Sequence, residues 1–373
     1  MVSARVVRQP GELRWETRLL VVVTAVLTVF GIASLYAAAT MQERPFDYFV
    51  KQLSGALAGA VGLLIVSQVD YHRWRKSAWP LLLLAVVSLV IVVLPFTQAI
   101  APVTNGARRW IKVGPANFQP SELARFAIVV WTAMLAAKKG DAVRGFKKGV
   151  SPFLVIIGLV SVLILIEPNL SMATLVALLG GIVLFTAGAK IGHFMLLGVA
   201  ALFTGISLIW AEGYRLQRLK CFLEPCEGGD FQLQQALIGF GSGGPFGVGY
   251  GHGQLKMNYL PYGYSDFLAA TIGEEWGFLG VVVIALLFFI FCWLGFRIAK
   301  TAPDPFGQYL ATGLTASVAL AALLHGAVNL GLMPTTGLAL PFMSFGRSAL
   351  LIALLSVGVL VNIGRARGRP AKP

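Results

Sequence analysis

The chain has 373 residues, of which 57% are hydrophobic and only 12% are charged, and its mean hydropathy is +0.77. A soluble domain carries roughly 25% charged residues, so these charges are too few to solvate a globular surface. The formal net charge is +14, but the basic residues are spread over short segments between apolar runs. This spread is typical of membrane-protein loops and disfavours nucleic acid as a partner.

Ten apolar runs follow one another along the chain, most of them near the roughly 20 residues that cross a bilayer core. The stretch 151–187 is too long for one span, and Glu167, Pro168 and Asn169 interrupt it with a turn. The sequence therefore predicts an all-α polytopic membrane protein, a single domain over 1–373, with about ten transmembrane helices. The predicted spans are about 19–39, 53–69, 78–96, 122–137, 151–167, 169–187, 191–210, 274–296, 308–331 and 347–364.

Basic residues are concentrated in four segments that fall on one side of the membrane if the chain has ten spans. These segments are the tail 1–18, the loops around 73–76 and 138–148, and the tail 365–373. Cytoplasmic loops carry an excess of Lys and Arg, so we expect both tails to be cytoplasmic. The long segment 211–265, between spans 7 and 8, is then extracytoplasmic.

A second group of basic residues lies on the outer side in this topology. Its members are Arg108, Arg109, Lys112, Arg215, Arg218, Lys220 and Lys256. Arginine forms forked hydrogen bonds with phosphate, so one interpretation is a site for an anionic ligand such as a lipid pyrophosphate. A solvated surface is the alternative.

The outer segment is rich in glycine between residues 239 and 253 and contains a formal G-x-G-x-x-G motif. A dinucleotide site needs that motif between a strand and a helix, and neither is indicated here. Glycine permits unusual backbone angles, so we expect an irregular or re-entrant segment. Cys221 and Cys226 form either a disulfide or two free thiols, and we assign no metal to them.

Carboxylates at the membrane boundary are the first candidates for chemistry, because ionisable groups there are costly. Asp266 ends the polar outer segment and precedes an apolar run, where it can act as a general base or cap a helix. Glu274 and Glu275 follow about two helical turns later. One of the pair faces a polar cavity, or both face solvent or a packing partner.

Two further pairs of polar residues have helical spacing. Glu122 and Arg125 are three residues apart at the start of span 4, which predicts an ion pair that is either structural or positions a substrate-binding group. His325 and Asn329 are four apart in span 9, where hydrogen bonds between helices are the favoured interpretation. Arg347, before the last span, is a membrane-interface anchor or another phosphate contact.

Five motifs in a fixed order give the chain a resemblance to the SEDS family (shape, elongation, division and sporulation), which contains FtsW and RodA. They are NGARRWI at 105–111 with QPSE at 119–122; YRLQR at 214–218 with FLEP at 222–225; QALIGFGSGG at 235–244, continuing to Lys256 and Pro261; SDF at 265–267 with EEWG at 274–277; and NLG at 329–331 with MPTTG at 333–337. The Pro-Thr-Thr-Gly stretch is more similar to the division branch, FtsW, than to RodA.

This resemblance implies ten spans and polymerisation of lipid II into glycan strands at the outer face of the bacterial cytoplasmic membrane, with Asp266 at the position of the essential acid. It also implies a class B penicillin-binding transpeptidase as a partner, with membrane lipid and other division or elongation proteins. The residues expected to bind substrate are Arg109, Trp110, Gln119, Ser121, Arg215, Arg218, Lys256 and Ser344. A supporting ion pair or cavity is expected at Glu122, Arg125, Glu274 and Glu275.

The chain departs from the family pattern at a few positions. Arg125 stands where lysine is usual, Asn169 and Ser171 where Asp and Gly are usual, Arg347 where glycine is usual, and Cys226 where an aromatic residue is usual. None of these residues is adjacent to Asp266 in the sequence. They leave open how the polar groups of spans 4 to 6 and of the last span are connected.

The expected reaction has Asp266 deprotonating a sugar hydroxyl, which attacks an anomeric carbon while the lipid pyrophosphate leaves. A divalent cation, Mg²⁺ or Mn²⁺, can assist, although no metal-ligand cluster is evident. One alternative is a lipid II flippase, which needs polar groups through the membrane depth. Another is a non-catalytic scaffold for the transpeptidase. The concentration of charge at the outer side favours the polymerase.

Overall fold

The computed structural model describes residues 14–42, 44–103, 107–114, 116–211, 213–223 and 231–366. Regular structure in this part of the chain is almost wholly helical, which confirms the all-α prediction. The helices are α1 (Arg14–Ala38), α2 (Pro45–Gln68), α3 (His72–Val93), α4 (Pro120–Lys139), α5 (Ser151–Ile166), α6 (Leu170–Thr186), α7 (Ile191–Ala211), α8 (Gly213–Leu223), α9 (Phe231–Gly243), α10 (Leu268–Lys300), α11 (Pro305–Asn329) and α12 (Arg347–Ala366). Strands β1 (Ile111–Val113) and β2 (Ala116–Phe118) pair as a short antiparallel hairpin.

Eight helices in the described ranges are long and apolar enough to cross a membrane. They are α1 to α5 and α10 to α12. The remaining two predicted spans coincide with α6, which has 17 residues, and α7, which has 21. The chain is therefore a multi-pass membrane protein, while the number of ten spans stays a prediction.

The predicted turn within 151–187 is present, because α5 ends at Ile166 and α6 begins at Leu170. Asn169 is the N-cap of α6, and its side chain accepts a hydrogen bond from the Met172 amide at 3.2 Å. Helix α10 begins at Leu268, before the predicted start of span 8 at about 274, because the largely apolar residues 268–273 are already helical. The long segment 211–265 also contains two helices, α8 and α9, that the sequence did not indicate.

Helix α4 forms the centre of the bundle, with every residue from 120 to 134 buried. It packs against α3, α6 and α11, and its long apolar side chains fill the space between them. Since lipid is as apolar as these side chains, association of the helices depends on close packing and on hydrogen bonds between them.

Among the described helices, α2 and α12 make the most extensive pairwise contact, although they lie far apart in the sequence. A Cβ atom at Gly358 would lie 2.8 Å from the Leu63 carbonyl oxygen, so a glycine is needed where the two backbones meet. The buried Gln52 side chain fixes the same contact: its Nε2 donates to the Ser344 carbonyl (3.0 Å), and its Oε1 accepts from the Gly346 amide (3.1 Å).

Helix α10 is broken at Gly277, whose φ of 66° and ψ of −166° are not helical. A break of this kind leaves amide and carbonyl groups without partners from their own helix. Such groups are costly at membrane depth, where no water can bind them. The break therefore requires partners from elsewhere in the protein.

The glycine-rich segment 244–249 supplies those partners. Carbonyls of Gly244 and Pro245 accept from the Phe278 and Leu279 amides, at 2.9 and 3.1 Å. In the other direction, amides at positions 248 and 249 donate to the carbonyls of residues 274 and 275, at 3.0 and 3.1 Å. The expected irregular segment is thus present from residue 244 onward, where it completes the backbone bonding of α10, whereas residues 239–243 belong to helix α9.

We expect Gly247→Ala to lower the free energy of unfolding by about 2 to 4 kcal/mol, as the sum of overpacking and left-handed strain. Gly247 has φ +81°, and a Cβ there would lie 2.2 Å from the Glu275 carbonyl oxygen. Thermal unfolding in detergent measures the loss. Gly241→Ala is the matched control on α9, since no atom lies within 4 Å of a Cβ at that position. Equal stability of the two variants would show that 244–249 can separate from α10.

Candidate functional site

Asp266 lies in a tight turn immediately before α10. Its amide and that of Ser265 donate to the Tyr262 carbonyl, at 3.1 and 2.9 Å. Phe267 is the N-cap residue of α10, so Asp266 precedes the cap instead of forming it. The residue is only partly buried, which leaves it accessible from outside the bundle.

Asn329, at the end of α11, binds this turn from one side. Its Nδ2 donates to the Asp266 carbonyl at 3.1 Å and to the His325 carbonyl at 2.9 Å, and its Oδ1 accepts from the Ala270 amide at 3.1 Å. Asn329 is fully buried. His325 Nδ1 contacts the Leu338 carbonyl at 2.8 Å. Asn329 thus makes the predicted hydrogen bond between helices, to Ala270 on α10, whereas His325 contacts the non-helical segment that follows α11.

Ser344 binds the same turn from the other side. Its hydroxyl donates to the Ser265 carbonyl at 2.6 Å and accepts from the Leu340 amide at 3.0 Å. The Phe345 amide donates to the Tyr264 carbonyl at 3.1 Å. The Ser344 hydroxyl, a predicted substrate contact, is thus buried and bonded to protein, so its contribution here is to hold the turn.

Aromatic rings surround the turn. The Tyr48 and Tyr264 rings lie 4.7 Å apart, and Phe345 lies within 6 Å of both, at 5.2 and 5.9 Å between centroids. Burial raises the pKa of the Tyr264 phenol above its usual range, and the hydrogen bond with Tyr48 and the charge of Asp266 add to this. Tyr264 therefore stays neutral, and its hydroxyl keeps its proton, at every physiological pH.

Glu274 and Glu275 lie on α10 facing the glycine-rich loop, where both are buried. The Glu274 carboxylate accepts from the Gln254 amide at 2.7 Å and the Leu255 amide at 3.1 Å. These bonds fix the start of the turn 255–259, which carries Lys256. The Lys256 ammonium donates to the Gly251 carbonyl and lies near Glu275. The acidic pair thus orders the part of the loop in which a phosphate contact is predicted.

The start of α4 contains the other predicted polar group. Arg125 Nη2 lies 2.8 Å from Glu122 Oε2, so the two side chains form the ion pair that their spacing predicts, inside the bundle. Ser121 is fully buried, and within the described part of the chain its hydroxyl has no hydrogen-bond partner. Whether these side chains also position substrate stays a prediction.

The hairpin joins the start of α4 to the last helix. Ser348, on α12, donates through its hydroxyl to the Asn117 carbonyl and accepts from the Gln119 amide, both at 3.2 Å. Trp110, just before β1, is partly exposed. Since α12 follows directly from the segment containing Ser344, hydrogen bonds connect the hairpin to the Asp266 turn.

The Arg109 side chain is hydrogen-bonded to the turn between α5 and α6. Its Nε donates to the Glu167 carbonyl at 3.0 Å, and its Nη2 donates to the Pro168 carbonyl. The guanidinium therefore fixes this turn against the hairpin, with part of its donor set used on protein. Pyrophosphate binding by Arg109 stays a prediction.

The sequence places Glu167 in a turn, and its residue pattern did not mark it as a candidate site residue. Its side chain is almost fully buried, and neither carboxylate oxygen has a hydrogen-bond partner among the described residues. Burial raises the pKa of Glu167 to about 8, against a smaller lowering by Arg109. It lines a cavity of about 230 Å³ together with Arg108. A lone carboxylate within a long apolar stretch was the signal that could have identified it.

The remaining predictions concern residues beyond the description of the structure. Arg215 and Arg218 are on α8, but the positions of their side chains lie outside the described part of the molecule. The same is true of the Cys221 side chain and of all of Cys226. Phosphate binding by the two arginines and the state of the two thiols stay predictions.

We expect Asn329→Ala to lower the free energy of unfolding by about 2 to 4 kcal/mol, because it leaves buried backbone groups of the Asp266 turn without partners. Hydrogen exchange should show faster exchange of the Ala270 amide. Asn117→Ala is the control, because the Asn117 side chain is exposed. Unchanged exchange at position 270 would contradict the assigned role of Asn329.

Glu167 predicts a pH dependence of stability. Its folded pKa of about 8 exceeds the ordinary value of 4.5, so between these values the native state holds a proton that the unfolded state has lost. The free energy of unfolding should therefore fall as pH rises from about 4.5 to about 8. Glu167→Gln should remove this fall and be more stable than wild type near pH 8 in thermal unfolding. Asp141→Asn, at a fully exposed carboxylate, should leave the fall unchanged.

Comparison with known proteins gives matches along almost the whole chain. The family model described as "Cell cycle protein", that of FtsW, RodA and SpoVE, matches residues 12–368. A probable peptidoglycan glycosyltransferase FtsW from Trichlorobacter lovleyi is 39% identical over 366 residues, covering 96% of this chain and 95% of that protein. Stage V sporulation protein E from Bacillus subtilis is 36% identical over 355 residues, covering 93% and 96%.

Solved structures share the fold. A chain from a study of structural coordination of polymerization and crosslinking by a peptidoglycan synthase complex aligns with a TM-score of 0.79 and 24% identity, over 93% of this chain and 97% of that chain. The rod shape determining protein RodA of Thermus thermophilus aligns with a TM-score of 0.69 and 24% identity, over 93% and 96%. The chain therefore belongs to the FtsW, RodA and SpoVE family of cell cycle proteins, the SEDS family that its motifs predict.

Proposed function

We propose that this protein is a peptidoglycan glycosyltransferase that polymerises lipid II into glycan strands during cell division, with Asp266 as the general base. The observation that carries the proposal is the Asp266 turn. Asn329 and Ser344 hold its backbone from two sides, while Asp266 itself remains partly exposed. Relatives that are 35 to 39% identical carry the name probable peptidoglycan glycosyltransferase FtsW.

The proposed reaction joins two saccharides with inversion at the anomeric carbon. The Asp266 carboxylate takes the proton of the acceptor hydroxyl, whose oxygen then attacks the anomeric carbon of the donor. The bond from that carbon to the pyrophosphate breaks, and its electron pair leaves with the lipid pyrophosphate. This arrangement needs one base and cationic groups near the leaving group, by analogy with inverting glycosidases.

Cationic residues of the outer segments are the proposed partners of the leaving group. Lys256 is held in place by Gly251 and by the turn that Glu274 fixes. Arg109, Arg215 and Arg218 complete the proposed set. Within the described ranges no three His, Cys, Asp or Glu side chains lie close enough to hold a metal ion. Assistance by Mg²⁺ or Mn²⁺ stays a prediction, and no step of the proposed mechanism is assigned to it.

The proposed setting is the bacterial cytoplasmic membrane, with both termini in the cytoplasm and the Asp266 turn at the outer face. The basic segments that the positive-inside rule places in the cytoplasm support this orientation. A class B penicillin-binding transpeptidase is the proposed partner, since a structural relative was solved as a peptidoglycan synthase complex. Strand polymerisation and crosslinking would then occur in one assembly.

The test is polymerisation of lipid II by the purified protein, with and without a cognate class B transpeptidase. Asp266→Asn keeps the size of the side chain but removes the base, so we expect the rate to fall about 10²- to 10⁴-fold. The control is Asp47→Asn, a half-exposed carboxylate at the start of α2. Wild-type rates from Asp266→Asn would refute the assigned base. Absence of polymer from wild type, with movement of lipid II across liposome membranes, would instead support the flippase.

A further inference from the structure

The non-helical segment between α11 and α12 passes beside the Asp266 carboxylate at Gly337. A Cβ atom built on Gly337 would lie 3.8 Å from Asp266 Oδ2, which is an ordinary van der Waals contact. Apart from the two neighbours of Gly337 in the chain, no other described residue has a heavy atom within 4 Å of that position. The Cα of Gly337 therefore borders a space next to one oxygen of the proposed base.

Neither packing nor backbone conformation requires a glycine at position 337. Its φ is not in the left-handed range, so other residues can adopt this conformation. An added methyl group would also meet no close contact, in contrast to Gly247 and Gly358, where a Cβ would lie 2.2 and 2.8 Å from a carbonyl oxygen. Gly337 is itself exposed. Its effect on the structure is to leave the space beside the carboxylate unfilled.

Hydrogen bonds from the end of α11 fix both sides of this space. Asn329 Nδ2 donates to the carbonyls of Asp266 and His325, at 3.1 and 2.9 Å. His325 Nδ1 in turn donates to the carbonyl of Leu338 at 2.8 Å, because a carbonyl oxygen can only accept. Leu338 is only 4% exposed and directly follows Gly337. The Asp266 turn and the segment of Gly337 are therefore held against the same helix end.

The proposed reaction requires a carbon atom of the acceptor in this region. A general base must lie about 2.6 to 3.2 Å from the oxygen whose proton it takes, so the carbon bearing that hydroxyl lies close to the carboxylate as well. A ligand carbon can approach a bare Cα to about 3.5 to 4.0 Å. A side chain at position 337 would occupy this approach and move the ligand away from Asp266.

We propose that the acceptor saccharide packs on the Cα of Gly337 while its hydroxyl reaches Asp266, so that Gly337 sets the distance between acceptor and base. The inference rests on the proposed function and adds a substrate contact to it. Gly337 is the last residue of the MPTTG motif, and it is not among the residues that the family resemblance assigns to substrate.

The experiment compares Gly337→Ala and Gly337→Val with wild type in lipid II polymerisation and in thermal unfolding. A displacement of roughly 1 Å from the reactive geometry can lower a rate about 10²-fold, so we expect this fall in kcat for Gly337→Ala and a larger one for Gly337→Val. The unfolding temperature of Gly337→Ala should equal or exceed that of wild type, because alanine restricts the unfolded chain.

Gly326→Ala is the matched control. Gly326 is on α11, and a Cβ there would meet no atom of another segment within 4 Å. Its kcat should equal that of wild type. Wild-type kcat in Gly337→Val would show that no substrate occupies the space, and would overturn the proposal. An unfolding temperature of Gly337→Ala below those of wild type and Gly326→Ala would show that the fold requires this glycine, and would also overturn it.

The pH dependence of the rate separates displacement of the acceptor from an effect on the base. A methyl group that only excluded water from the carboxylate would make it harder to ionise. The rate of Gly337→Ala would then recover as pH rises, which would contradict the proposal. A displaced acceptor instead lowers the rate by the same factor at every pH.

Wild-type protein distinguishes failure of this inference from failure of the proposed function. If wild type polymerises lipid II and both Gly337 variants have the same kcat, only the contact with Gly337 is refuted. If wild type, with its transpeptidase partner, makes no polymer, the proposed function fails and this contact fails with it.

Discussion

The site depends on one constraint, which is that the backbone groups exposed by the break in α10 must be hydrogen-bonded inside the protein. Segment 244–249 meets this constraint by exchanging four backbone hydrogen bonds with residues on both sides of Gly277. The exchange fixes the glycine-rich loop to the helix that begins just after Asp266. Glu274 extends the same connection to the turn of Lys256. Hydrogen bonds through α10 therefore connect the segment of the proposed base with that of a proposed cation.

Several polar side chains inside the bundle form hydrogen bonds to the backbone of other segments and so fix those segments in place. Asn329, Ser344, Gln52 and Ser348 each bind carbonyl or amide groups of segments distant in the sequence. A hydrophobic effect between helices is absent in lipid, so such bonds determine how these segments meet. The apolar helices supply a scaffold, and a few buried amides and hydroxyls position the Asp266 turn on it.

The sequence predicted what apolar length and local spacing determine. The helices, the turn at Glu167–Asn169 and the Glu122–Arg125 pair all depend on neighbouring residues, and the structure contains each of them. It could not predict the break at Gly277, because the surrounding residues are compatible with a continuous helix and the partners lie some 30 positions earlier. Long-range bonds such as Ser344 to Ser265 have no local signal at all.

The pairing of α2 with α12 also means that one partner enters the membrane well before the other is synthesised. Gln52 and Ser344 are separated by 292 residues. At a synthesis rate of about 5 to 20 residues per second, α2 is inserted roughly 15 to 60 s before its partner exists. During that interval the Gln52 amide faces lipid, water at the translocation site or an insertion factor. Assembly of the site is therefore a late event in biogenesis, because it requires the segment containing Ser344, which is synthesised long after α2.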